Sequence, residues 1–152
     1  MQLRTDPVTL EVQWSKLISI VDEAEVSLLR TAFSAIVSEA YDFACSLFDG
    51  EGRSLVASSR GMPRFVATMP ETMRAFLRAY PPDSLQPGDI LVTNDPWICA
   101  GHLPDFVIAS PIFREKRLVG YAVSMAHTTD IGGSLNWQGT REIFEEGLRV
   151  PV

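Results

Sequence analysis

"FVIASPIFREKRLVGYAVSMA", residues 106–126, decides the fold. Two apolar runs, "FVIASPIF" and "LVGYAVSMA", flank the charged tetrapeptide "REKR" (114–117). Runs rich in β-branched and aromatic residues, split by a short polar break, predict a β-hairpin. The strands of a hairpin are antiparallel, so the start of the first lies beside the end of the second. Just before the first strand comes "AGHLPD"; just after the second comes "HTTDIGG". These hold the chain's two histidines, each followed three residues later by an aspartate: His102 with Asp105, His127 with Asp130. Hairpin geometry alone therefore gathers His102, Asp105 and His127 at the open end, opposite the charged turn.

Outward from the hairpin, Asp6-Pro7 predicts a helix start, with a capping side chain followed by proline at the first helical position. Leu17, Val21, Ala24, Leu28, Ala32 and Ala35 recur at helical spacing. They predict a long helix to about residue 39, or two end to end, with this stripe facing the core. "DFACSLFDGEGRSLVASS" (42–59) predicts a second hairpin around Asp49-Gly50-Glu51-Gly52. "RGMPRFVATMP" (60–70), punctuated by Gly61, Pro63 and Pro70, predicts a loop. A short helix with Met73, Phe76, Leu77 and Tyr80 follows it, and "PPDSLQPGD" ends that helix. "ILVTN" (90–94) predicts a buried strand. "TREIFEEGLRVP" (140–151) predicts a short helix stopped by Gly147, with Glu145 and Glu146 on its solvated face. The expected class is α+β: an antiparallel sheet of hairpins with a long N-terminal helix and shorter covering helices, all on one face. A GAF-like or PAS-like arrangement fits that order.

Composition narrows the function. The chain has 152 residues, enough for one domain with a real core. A net charge of -6 argues against nucleic acid as partner, because phosphate binding wants a basic surface. No apolar run reaches the length of a membrane span, and the N-terminus lacks the pattern of a signal peptide. Cys45 and Cys99 have no motif partner and read as small core residues in a reducing, cytoplasmic compartment. There is no phosphate-cradling glycine motif. The end at "EEGLRVPV" reads as a break within a longer protein.

Neutral imidazoles and a carboxylate are the ligands that hold zinc, manganese or iron. Two histidines and one aspartate leave coordination positions open for water or substrate, as catalytic sites do. The bland alternative is two loop histidines, each hydrogen-bonded to a turn aspartate, and the spacing does not choose. Asp95 and Trp97, in the "NDPW" turn, are placed to face the same pocket as His102.

Several motifs in order, "NDPWICAGHLPDFVIASPIF", "AHTTDIGG" and "IFEEGLRVP", resemble the hydantoinase B/oxoprolinase family. "DPVTLEV", "YDFACSLFDGEGR" and "LQPGDILVTNDPW" agree, so the resemblance spans essentially the whole chain. It implies that residues 1–152 are the N-terminal part of a hydantoinase B-type domain, cut at 152. It implies a divalent metal, manganese, zinc or iron, on His102, Asp105 and His127. Asp130 would stand behind them, orienting a ligand histidine or acting as general base. It further implies a hydantoinase A-type partner that uses ATP to activate the substrate, in a hetero-oligomer. The hydantoinase B-type component would then hydrolyse a cyclic amide, a hydantoin or 5-oxoproline. The alternatives are carboxylation of a ketone and a non-catalytic, GAF-like small-molecule binding module. This piece alone is expected to be inactive. Two departures, Cys99-Ala100-Gly101-His102 for the common GGTH and Thr128 for a second histidine, bear on substrate choice more than on the ligands.

Overall fold

The computed structural model describes residues 6–134 and 139–152. Helix α1 (Pro7–Thr31) starts as predicted: Asp6 accepts from the amides of Val8 and Thr9 at 3.4 and 3.0 Å. The helix then breaks at Ala32, and a short α2 (Ala35–Ala40) follows, so the two-helix alternative holds. The stripe is only partly core. Val21 is buried, Leu17, Leu28 and Ala32 are half-buried, and Ala24 and Ala35 are exposed. Glu25 is buried beside Val21 because Arg60 reaches it, Nε to Oε1 at 2.7 Å.

Both predicted hairpins form. Strands β1 (Phe43–Asp49) and β2 (Ser54–Ala57) make the first, β4 (Asp105–Arg114) and β5 (Arg117–His127) the second. With β3 (Leu91–Thr93) they build one antiparallel sheet in the order β2-β1-β5-β4-β3. Strand β5 lies at its centre. The β4–β5 ladder runs from Asp105 opposite His127 to Arg114 opposite Arg117, so the charged turn and the histidines are at opposite ends.

Three expectations are corrected. First, "RGMPRFVATMP" is not a loop: α3 (Pro63–Ala79) runs through it with Pro70 inside. Pro63 supplies the start. Proline in a helix interior costs about 3 kcal/mol. Here Phe65, Met69, Met73 and Phe76 are all fully buried against the sheet and outweigh it. Second, the helices do not share one face. Helix α3 packs on Ala44, Phe48, Val107, Tyr121 and Met125, while α1 packs on Cys45 and Val56. Strand β1 is buried on both sides, which explains its nearly unbroken apolar run. Third, the last helix is a single 3-10 turn, Ile143–Glu146, ended by Gly147 at φ 125°. Residues 143–152 run as a strap whose amides and carbonyls bond to other segments: Ser134 N to Glu145 O, and Leu148 N to Ile131 O. Among the described residues no helix is long and apolar enough to cross a membrane.

Candidate metal centre

Register places the site. Strand β4 begins at Asp105 and β5 ends at His127, and the two are direct partners. His102 stands in the tight turn before β4, where Asp105 N donates to His102 O at 3.5 Å. Leu103 is fully buried beneath that turn and Asn94, also fully buried, donates to its carbonyl at 2.7 Å. The turn is therefore held by the core, and its histidine is left to face the sheet end.

Asp105 is completely buried, with both imidazoles on one of its oxygens. Nε2 of His102 lies 3.0 Å and Nδ1 of His127 3.1 Å from Oδ1. The rings stack at 5.2 Å between centroids. One ligand atom from each of the three residues lies within 4.8 Å of the others. Nε2 of His102 is buried and has no hydrogen-bonded partner among the described residues. Its contact with Asp105 is short but off line, so its directional part is weaker than the distance implies.

Burial pushes the Asp105 carboxyl up, but the close contacts with both histidines and the charges of His102 and Arg64 outweigh it. The result is a carboxyl held below its ordinary value. Contact with that carboxylate raises His102, against burial; the charges of Asp105 and Glu146 add to the rise and Arg64 subtracts.

The structure adds three residues that the sequence did not point to. Arg64, in the first turn of α3, bridges Asp105 Oδ2 at 3.4 Å and Asp42 Oδ1 at 3.2 Å. Asp42 Oδ2 lies 3.8 Å from His127 Nδ1. It arrives because Phe43 pairs with Ala126, which sets Asp42 beside His127. Glu146, expected on a solvated face, is instead 14% exposed and lies 4.0 Å from His102 Nδ1. Glu145 does lie exposed.

Other expectations separate from the site. Asp95 pairs with Arg149 at 2.6 Å and Trp97 is 76% exposed, so neither joins His102. Asp130 lies exposed on the wall of a cleft of about 40 Å³ shared with His127 and Glu146. Its Oδ1 accepts from Gly132 N at 2.8 Å, and it stands outside the three-ligand cluster.

The donor set fits a divalent ion. Bonds of about 2.0–2.2 Å in a tetrahedron hold neighbouring ligand atoms roughly 3.3 Å apart. The distances of 3.0 and 3.1 Å fall slightly short of that. A buried ring nitrogen without a hydrogen-bond partner among the described residues, beside a carboxylate, is the kind of donor atom a divalent ion takes.

Over residues 6–152 the chain matches the family described as Hydantoinase B/oxoprolinase. It is 34% identical over 153 residues to the 5-oxoprolinase of Saccharomyces cerevisiae, covering 98% of this chain and 12% of that protein. A Pseudomonas sp. (strain NS671) protein assigned as the B-type component of a D-/L-hydantoinase is 32% identical over 152 residues, covering 96% of this chain and 26% of that one. Two solved structures share the fold. The ATP-dependent caprolactamase from Pseudomonas jessenii superposes with a TM-score of 0.76 at 26% identity, over 97% of this chain and 26% of that one. Nucleotide-free acetone carboxylase gives 0.74 at 27% identity, over 84% and 17%. The chain thus spans 12% and 26% of the length of the two curated relatives.

Proposed function

This chain belongs to the hydantoinase B/oxoprolinase family, and from that premise we propose that it supplies the metal centre for ATP-dependent hydrolysis of a cyclic amide. The observation that carries the reading is the convergence of two imidazoles on one buried carboxylate, with His102 Nε2 unpartnered among the described residues. His102, Asp105 and His127 are the ligands. A divalent ion bound there, zinc, manganese or iron, would polarise a carbonyl oxygen or lower the pKa of a bound water. Arg64 engages Oδ2 of Asp105 and so leaves Oδ1 for the imidazole side. Asp130, exposed on the cleft wall, is the candidate general base; Oδ1 holds the turn, and among the described residues Oδ2 makes no hydrogen bond.

The relatives' names support the substrate and partner reading. A 5-oxoprolinase and a caprolactamase both act on cyclic amides, and the caprolactamase is ATP-dependent. This sequence has no phosphate-binding glycine motif, so ATP use falls to a hydantoinase A-type partner in a hetero-oligomer. Similarity to a relative assigned as one component of a multi-subunit hydantoinase supports that division. Two buried free thiols suit a reducing, cytoplasmic setting.

A second reading, carboxylation of a ketone, is favoured by the likeness to acetone carboxylase. The full-length protein with its ATP-using partner separates the two. Metal- and ATP-dependent opening of 5-oxoproline, a hydantoin or caprolactam supports the hydrolase. Fixation of labelled bicarbonate onto a ketone, with no ring opening, would replace it.

A further inference from the structure

One half-buried carboxylate beside the site has no role in the metal-binding set. Glu146 Oε2 accepts from Leu103 N at 2.8 Å and lies 4.0 Å from Nδ1 of His102, the ring nitrogen not turned to Asp105. The strap that carries it is fixed from both sides. The buried amide of Asn94 donates to Leu103 O at 2.7 Å and to Leu148 O at 2.8 Å, and accepts from Val150 N at 2.6 Å. On the other side, Leu148 N donates to Ile131 O at 2.9 Å. Glu146 is thus tied to the His102 turn itself, through the next residue along.

A neutral imidazole carries one N–H and one lone pair. A histidine that gives its lone pair to a metal commonly donates its other N–H to a carboxylate, which fixes tautomer and ring angle. Nε2 of His102 faces Asp105, and Nδ1 faces Glu146. A separation of 4.0 Å is longer than a hydrogen bond; a small ring rotation or one bridging water closes it. Asp130, the carboxylate that the sequence singles out for this task, spends Oδ1 on Gly132 N and makes no described hydrogen bond to either ring.

We propose that Glu146 is a positioning residue for His102, holding the proton on Nδ1 so that Nε2 presents its lone pair to a metal ion. The proposal rests on the metal reading of the site. It makes the strap part of the centre, although Glu146 lies 44 residues after His102 in the chain.

The test uses the full chain as wild type, E146Q and E146A. Zinc affinity is measured by competition with a chelating dye. Gln keeps an oxygen for Leu103 N–H and removes the charge, so E146Q is expected to melt as wild type does. Its zinc affinity is expected to fall about 10–100-fold, with E146A at least as weak. The cobalt(II) absorption bands should keep their positions, because the ligands are unchanged. Zinc affinity of E146Q within twofold of wild type would overturn the proposal. Shifted cobalt bands would also overturn it, by making Glu146 a ligand. If E146Q fails to fold, wild type decides: in the zinc-loaded protein the His102 Nδ1–H must exchange slowly by NMR, and free exchange contradicts the proposal. Wild type that binds no zinc, manganese or iron sinks the metal reading itself, a different result from wild type that binds and E146Q that binds equally.

Discussion

Asp105 and His127 are partners across the β4–β5 ladder, and the same pairing sets His127 Nδ1 3.1 Å from Asp105 Oδ1. The site is thus a consequence of strand register. A one-residue slip would turn one of the two side chains to the opposite face and dismantle it. The register is fixed by burial, since Val107, Ala109, Tyr121, Val123 and Met125 all lie on the α3 face.

Replacing Asp105 tests how much the cluster contributes without metal. Asp105→Ala leaves two imidazoles and Arg64 facing an empty, buried position. We expect a loss of about 1–3 kcal/mol in denaturant unfolding with chelator present. An unchanged midpoint would show that the carboxylate adds nothing in the metal-free state.

Stability of the metal-free protein should peak between two limbs. The folded-state value of Asp105 lies below its ordinary 3.8, as the close contacts with the two histidines and the charges of His102 and Arg64 outweigh burial. Its contribution is complete above 3.8 and is lost as pH falls through the lowered value. His102 lies above its ordinary 6.5 because of Asp105; its contribution is complete below 6.5 and is lost as pH rises through the raised value. Metal reverses the second limb, since protons compete for the imidazole lone pairs. Unfolding midpoints at about pH 3, 6 and 9, with chelator and then with zinc, check both signs.

Gly133 lies where the strap crosses the turn after β5. A Cβ there would meet the backbone of Glu146 and Gly147, which cannot give way as a side-chain tip can. Gly133→Ala should destabilise by roughly 1–3 kcal/mol and speed amide exchange at Leu103 and Leu148. Unchanged exchange at both amides would mean that the strap is not held as described.

Burial pushes both cysteine thiols up to about 11, helped at Cys45 by the Glu25 charge. At Cys99 the Thr72 hydroxyl opposes the rise and nearby aspartates add to it. Neither thiol should react with a disulfide reagent at neutral pH until the chain unfolds, when both should react. Fast labelling of the native protein would contradict the buried placement.

The hairpin, the helix start at Asp6 and the three clustered residues are legible in the sequence because each rests on short-range pattern. The residues around them are not. Asp42 reaches the site only through β1–β5 register, and no local signal marks that pairing. Arg64 is hidden because Pro63 and Pro70 argue for a loop, while the buried face from Phe65 to Phe76 makes a helix. Glu146 ends an amphipathic-looking run whose backbone bonds to distant segments, so the solvated-face expectation fails. Hydrophobic period reports burial against a neighbour without naming that neighbour, which is why the pattern alone puts α1 and α3 on the same face.

The central claim is that His102, Asp105 and His127 hold a divalent ion. It is tested most directly by elemental analysis of the full-length protein, wild type against His127→Ala, after loading with zinc, manganese or iron and removal of excess. The account predicts about one tightly held ion per wild-type chain and almost none in a folded His127→Ala protein. Equal metal content in the two would contradict it.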